Sequence, residues 1–475
     1  MKHLSFIAVC LLVCLSVSAQ DNKTKMLESI SKKEMYYGNI AKKIWNYAEV
    51  GYQETKSSAL LQETLEKEGF KIQKGVAEIP TAFVASFGEG KPVIGILGEY
   101  DALPGMSQDS TAEQKSIGGT AGHACGHHLF GTASAAAAIA VKEYMKANNI
   151  KGTIRFYGCP AEEGGSGKVY MVRAGLFNDV DAVLHWHPNS FNTASFGTSL
   201  ANKSGKFRFY GVSAHAAASP EKGRSALDGV EAMNNMVNML REHIPSDSRI
   251  HYVITNGGKA PNVVPDFAEV YYYARNPRRD IVIDVWSRIE KAAKGAALGT
   301  DTRVEWELTG GTYELLSNET LTQVMQDNLV KVGGLTYTEA EKQYALKLSK
   351  NLGLDHLRYE DANGIKPLDV EKTGAGGSTD VGDVSWAVPT VGLSVATWVP
   401  GTPAHSWQAV AAGGMSIGRK GMIVAAKTLA LTATQLFESP ETVKKAKEEF
   451  ERARGINFKY ISLVGDRKPA LDYRK

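Results

Sequence analysis

Short apolar runs rich in β-branched residues alternate with helical patterns along this 475-residue chain, and that alternation argues for an α/β sheet domain. "KPVIGILGEY" (91–100) reads as a buried strand, and "GTIRFYGCP", "VDAVLHWHP" and "TVGLSVATW" supply others. "MYYGNIAKKIWNYAEVGYQE" and "SSALLQETLEKEGF" carry helical periodicity, the second closing at Gly69. "LFGTASAAAAIAVKEYMKAN" is a helix of small residues able to pack tightly on a sheet, and "KVYMVRAG" is a short helix ending at Gly175.

The middle of the chain has a different texture. From about Asn202 to Thr309 the order is a strand in "KSGKFRFYGVSAH", a long helix, strands in "RIHYVITNGG" and "FAEVYYYARNP", a second helix, and a strand in "TRVEWELTG". That β-α-β-β-α-β succession resembles a ferredoxin-like sandwich. It is placed as an α+β domain (202–316) inserted into a catalytic sheet domain formed by 20–201 and 317–475, with the sheet domain resuming near Leu321. The polar segment 336–374 gives no clear pattern.

Residues 1–19 read as a secretory signal peptide: Lys2 and His3, an apolar run from Leu4 to Leu15, then Ser18 and Ala19. The run falls short of the about 20 residues a membrane helix needs, and no other stretch is long and apolar enough. The expectation is an exported, periplasmic or secreted protein. A lipid anchor on Cys14 ranks second, because Val13 is large for the position before a lipidated cysteine. The net charge of +3, one less without Lys2, leaves no electrostatic footprint for nucleic acid or an anionic membrane.

Two of the four cysteines, Cys10 and Cys14, fall in the leader, leaving Cys125 and Cys159. In an oxidising compartment a disulfide is the simplest reading of such a pair. Against it, Cys125 lies in "GHACGHHLF" among His123, His127 and His128, where a thiolate would make a strong metal ligand. Of eleven histidines, three fall here and two more, His185 and His187, fall in "HWH".

The polar candidates share one address. "GEYD", "PAEE", "HWH" and "AHS" each follow or close a strand, and in an open α/β sheet the ligand crevice lies beyond the strand carboxyl ends. His123 and His128 read as flanking, structural residues. His185 and His187 alternate across a strand, so only one of them faces the crevice. Glu162 and Glu163 sit between Pro160 and Gly164, Gly165 and Gly167, where the backbone can come close to a substrate. His243, His251 and His356 read as surface or packing residues.

Eight ordered motifs carry a resemblance: "GEYDALPG", "GHACGHHLFGTA", "GCPAEEGGSGK", "DAVLHWHP", "GVSAHAAASPEKGRSALDG", "NVVPDFAEV", "GSTDVGDVSW" and "GTPAHSWQ". Together they resemble the co-catalytic metallopeptidase superfamily of aminoacylases and carboxypeptidases, and within it the amidohydrolases of N-acyl amino acids, with p-aminobenzoyl-glutamate as the lead substrate. The likeness covers nearly everything after the leader. It implies that Cys125, His127, Glu163, His187 and His405 hold two divalent ions, zinc or manganese. It further implies that Glu162 is the general base and that Asp101 is a carboxylate orienting the metal site. His215, Asn262 and Arg275, in the inserted domain, would hold the substrate carbonyl or carboxylate.

Such residue types suit the reaction. Two cations lower the pKa of water towards neutrality, an unligated glutamate can take its proton and pass it to the leaving amine, and an arginine can grip a free carboxylate with two parallel hydrogen bonds. His128 departs from the pattern, standing where the wider family has an acidic residue. Export departs too, because the related enzymes are cytoplasmic and work with a homologous partner subunit. A homodimer is therefore expected beside a heterodimer, with His215 completing the neighbouring subunit's site. A broader aminoacylase or dipeptidase is the alternative enzyme, and a catalytically silent metal-binding subunit the alternative of another class.

Overall fold

The computed structural model describes residues 22–354, 358–368 and 377–474. The leader with Cys10 and Cys14, His356, and part of the segment 336–374 lie outside the described residues. Within that segment, Glu339–Asn351 and Glu360–Asn363 are helices.

The strands of the central sheet are β1 (Lys71–Lys74), β2 (Phe83–Glu89), β3 (Val93–Glu99), β4 (Gly152–Cys159), β5 (Ala182–Leu184), β6 (His187–Asn189) and β7 (Thr193–Ser195). A later strand, β12 (Thr390–Ala396), completes it. The order is β1-β2-β4-β3-β5-β12-β6, with β7 alongside β12. Pairs β4/β3, β3/β5, β5/β12 and β12/β6 are parallel, while β1/β2, β2/β4 and β7/β12 are antiparallel.

Both faces of β3 and β4 are covered, which is why their sequences are apolar almost throughout. Ile94, Ile96, Ile154 and Phe156 face the larger core, and Val93, Leu97, Tyr157 and Cys159 the smaller one on the opposite face. The helix His127–Ala147 lies in the larger core against the helix Ser416–Glu438. Its run of alanines, Ala135 to Ala138, is fully buried, since only small side chains let the helix backbone come so close to its neighbours.

The inserted domain supplies a separate four-stranded antiparallel sheet from β8 (Ala201–Tyr210), β9 (Arg249–Asn256), β10 (Phe267–Asn276) and β11 (Arg303–Thr312), in the order β9-β10-β8-β11. Helices Ala226–Leu240 and Arg279–Gly299 cover one face, burying Phe207, Phe209, Tyr272 and Trp286. The N-terminal helix of the sequence reading ends sooner than its pattern suggested. It closes at Tyr47, with Ala48 in a left-handed conformation (φ 44°), so that Tyr52 and Gln53 belong to a turn instead.

Candidate metal centre and active site

β3 ends in Glu99 and runs into Asp101, and the period of two along an extended chain puts both carboxylates on the same side. Both are buried. Asp101 Oδ1 accepts from His127 Nδ1 at 2.8 Å, and its Oδ2 accepts the backbone N–H of Glu163 at 2.9 Å. One carboxylate thus links the "CGHH" turn to the "PAEE" loop. With Nδ1 donating to Asp101, His127 turns Nε2 towards Glu99 Oε2 at 3.1 Å. The surrounding carboxylates favour the protonated ring, and Nε2 is the nitrogen a metal would take in exchange for that proton.

Gly126 separates Cys125 from His127 for a geometric reason. Its φ is +77°, and a Cβ there would lie 2.7 Å from Pro188 Cβ. This tight turn brings Cys125 Sγ to 3.4 Å from His187 Nε2, while His187 Nδ1 donates to Pro188 O at 2.7 Å. Across the crevice, His405 Nε2 stands 3.1 Å from Glu163 Oε1. His405 has a left-handed backbone (φ 59°), and its N–H is fixed by the carbonyl of Ala124 at 2.9 Å. Ala161 and Ser166, flanking the glutamate pair, also have positive φ (56° and 58°). Such strain costs on the order of 1–3 kcal/mol per residue, and buried Glu54, accepting the Ala161 N–H at 2.8 Å, helps offset it.

The donor atoms fall into overlapping groups. Cys125, His127 and His187 converge within 4.8 Å, as do Cys125, Glu163 and His405, and a third set of Glu99, His127 and Glu162. The first two sets share Cys125 and contain all five of the metal ligands that the family resemblance implied. Buried atoms here face one another, His127 Nε2 lying 3.1 Å from Glu99 Oε2 and Glu163 Oε1 3.1 Å from His405 Nε2, and a cation would take the place of the protons such contacts require. Glu99, Asp101, Glu162 and Asp380 lie around buried Lys168, with Glu163 next to Asp101 and Glu162. That excess of negative charge, with two imidazole lone pairs and a thiol, fits divalent cations.

Electrostatics follow from this crowding. Burial, then the neighbouring carboxylates Glu99 and Glu163, push the half-buried Glu162 carboxyl far above its ordinary range. Burial would raise Glu163 too, but its hydrogen bond to His405 and the charge of His127 hold it low. Burial lowers His187 to about 4, helped by His127, and so keeps the ring neutral as a ligand must be. Burial also raises the Cys125 thiol, so its thiolate needs a cation beside it.

The remaining candidates from the sequence separate cleanly. His123 Nε2 meets Ile44 O and His128 Nε2 meets Gly413 O, both at 3.0 Å, so each acts in packing. His185 is absent from the converging groups. His243 and His251 are exposed. Cys125 and Cys159 are both free thiols, and Cys159 Sγ turns to Tyr157 O, so no disulfide joins them.

Sequence reasoning missed Glu99, Lys168 and Asp380. Lys168 Nζ donates to Glu99 Oε1 and to Asp380 Oδ1, each at 2.6 Å, all three residues being buried. The signal for Glu99 was present, two residues before Asp101 on the same strand face. Lys168 and Asp380 each lie in a quoted motif, "GCPAEEGGSGK" and "GSTDVGDVSW", but their pairing across 212 positions has no local signal.

The inserted domain contributes less directly. Exposed His215 accepts the N–H groups of Ala217 and Ala218 at Nδ1 (3.2 and 3.1 Å), which leaves Nε2–H as an outward donor. Asn262 is exposed beside it, its carbonyl accepting the Ala216 N–H. Arg275 lies on β10, half-buried, with an unpartnered Nε. Among the described residues, no hydrogen bond or ion pair joins these three to the Cys125–Glu163 cluster. A cavity of about 490 Å³ opens beside His405, lined among others by Ser107, Gln114, Ser116 and Trp407.

The profile of peptidase family M20/M25/M40 matches residues 95–409. The chain is 42% identical over 451 residues to one subunit of the p-aminobenzoyl-glutamate hydrolase of Escherichia coli (strain K12), covering 90% of this chain and 94% of that protein. It is 28% identical over 449 residues to the Xaa-Arg dipeptidase of Homo sapiens, covering 90% and 92%. Its fold is similar to the crystal structure of the aminobenzoyl-glutamate utilization protein from Klebsiella pneumoniae, with a TM-score of 0.60 at 18% identity over 86% of this chain and 97% of that one. With its strand-end donors and its matched span, this chain is a hydrolase belonging to peptidase family M20/M25/M40.

Proposed function

We propose that this protein is a two-metal amidohydrolase that cleaves N-acyl amino acids, with p-aminobenzoyl-glutamate as lead substrate, giving p-aminobenzoate and glutamate. The observation that carries the reading is the pair of donor sets sharing Cys125, with Glu162 at their edge. His127 and His187 would serve one ion, Glu163 and His405 the other, and Cys125 both. Two such ions, zinc or manganese, supply Lewis acidity and an acidified water.

The chain's own residues do the rest. Glu162, adjacent to the donors but outside both sets, takes the proton of the attacking water and hands it to the leaving amine nitrogen. Asp101 holds His127 in the tautomer that presents Nε2. His215, donating from Nε2–H, stabilises the developing oxyanion, with Asn262 beside it. Arg275 holds the free carboxylate of the amino acid through its fork of donors. The cavity beside His405, lined by hydroxyls, an amide and the Trp407 indole, suits an aromatic acyl group with a polar substituent.

A dimer fits this division of labour. Edge strand β9 exposes Tyr252, Val253 and Ile254, and the nearby helix exposes Met236 and Met239, an apolar surface suited to a second copy or a homologous subunit. His215 would then act in the partner's crevice. The pattern of residues 1–19 supports export. A catalytically silent subunit is disfavoured, because it would have no chemical need for the unligated Glu162 beside Glu163.

The test is to incubate the purified full chain, loaded with zinc or manganese, with a panel of N-acyl amino acids, dipeptides included, and to detect products by mass spectrometry. Metal-dependent release of glutamate from p-aminobenzoyl-glutamate is expected. Cleavage of dipeptides alone would move the reading to a dipeptidase, and no cleavage of any member would overturn it.

A further inference from the structure

The segment 456–474 contains no helix or strand, yet it is fastened along its whole length. Tyr460 donates to Asp383 Oδ1 at 2.6 Å, and Leu463 and Val464 are buried. Arg173 Nη1 donates to the carbonyls of Gly465 and Arg467 at 2.8 and 2.7 Å. Arg467 reaches across to the inserted domain, donating to Thr309 O and to Glu307 Oε1, each at 3.0 Å. Gln53 Nε2 then holds Leu471 O at 2.7 Å.

The segment ends on the glutamate loop. Tyr473 Oη and Arg474 Nη2 both donate to the backbone carbonyl of Glu163, each at 2.9 Å. Tyr52 Oη donates to Gly165 O on the same loop at 2.7 Å, and its ring meets Tyr473 edge-on at 5.6 Å. Space for the Tyr473 phenol comes from Gly51, where a Cβ would fall 2.1 Å from the Tyr473 oxygen. Two side-chain donors on one carbonyl is more than burial requires, and that carbonyl belongs to a residue whose carboxylate is in a converging donor set.

We propose that Tyr473 and Arg474 are positioning residues for the catalytic loop. By fixing the Glu163 carbonyl they set the direction of the Glu163 carboxylate and, one residue earlier, of Glu162. They do so from a strap that also grips β11 of the inserted domain. This inference rests on the reading of Glu162 and Glu163 given above.

The experiment uses the full chain with Tyr473→Phe, Arg474→Met and the double variant. Cobalt(II) is loaded in place of the native ions and its visible absorption bands are recorded, alongside kcat and KM for p-aminobenzoyl-glutamate and the thermal midpoint. A misdirected carboxylate should alter the cobalt bands and lower kcat of the double variant by roughly 10- to 100-fold, with KM and the midpoint nearly unchanged. Arg474→Lys, keeping one donor, should recover part of the loss. If the wild-type chain cleaves no substrate but the double variant still shifts the cobalt bands, the substrate reading fails and the positioning role stands. Unchanged bands and unchanged kcat would overturn the proposal, as would losses that merely track the thermal midpoint.

Discussion

At the carboxyl edge of the central sheet, Asp101, Cys125, His127, Glu163 and His187 are already joined by hydrogen bonds and close contacts. On the inserted sheet, His215 and Asn262 stand exposed, and Arg275 keeps an unpartnered Nε. The first region is organised before any ligand arrives. The second offers exposed or unpartnered donors that make no contact with the first among the described residues. The division fits the proposed chemistry: charge around two cations would have to be preorganised in a dry site, whereas donors that recognise a substrate could wait for it.

The largest effect that would test this division is Glu162→Gln. The amide keeps the volume but cannot take a proton, so turnover should fall by about 100- to 10,000-fold while bound metal, measured by mass spectrometry of the elements, is retained. Near-normal turnover would remove Glu162 from the role. The inserted domain is probed by mixing a His215→Ala chain with a Glu162→Gln chain and allowing subunits to exchange. If His215 acts across the dimer, a mixed dimer holds one site with both residues intact, and activity should partly return. No recovery after exchange verified by mass would return His215 to its own subunit or take it out of catalysis.

A smaller change is expected from Arg275→Ala. Losing a charged hydrogen bond costs about 1.5–3 kcal/mol, so kcat/KM should fall roughly 10- to 150-fold for substrates with a free carboxylate. Ester- or amide-capped analogues should lose much less, and equal losses on both would mark the arginine as structural. An effect of another kind, on stability and not on turnover, concerns the frame behind the crevice. Burial raises the Asp383 carboxyl to about 7 in the folded chain, well above its unfolded value. The folded state therefore binds this proton more tightly, so the stability it contributes is full at pH below about 4 and is lost as the pH rises towards 7. Denaturant titrations across that window should show a decline of at most about 1.4 kcal/mol per pH unit from this group, and Asp383→Asn should flatten it. An identical slope in the variant would mean that Asp383 does not titrate there.

The central sheet was legible because β3 and β4 are apolar on both faces, a pattern that only a covered sheet satisfies, and the inserted sandwich because its six elements succeed one another without interruption. The convergence of strand-end donors followed from topology. Other features were not legible, for physical reasons. Lys168 meets Asp380, and Tyr473 meets Glu163, through contacts between residues hundreds of positions apart, to which local pattern is blind. The helix after Glu34 stops at Tyr47 because Ala48 turns left-handed, although helical periodicity runs on past it. Glu99 could have been found, since the strand period that singles out Asp101 points to it equally.

The claim on which all this depends is that Cys125 joins two donor sets, each holding one divalent ion. The direct measurement is zinc or manganese stoichiometry of the dialysed full chain by elemental mass spectrometry, comparing wild type with Cys125→Ala and Cys159→Ala. The account predicts two ions per chain in wild type, a clear loss in Cys125→Ala, and little change in Cys159→Ala, whose thiol lies on the sheet's other face. One ion or none in wild type, or full retention by Cys125→Ala, would contradict it.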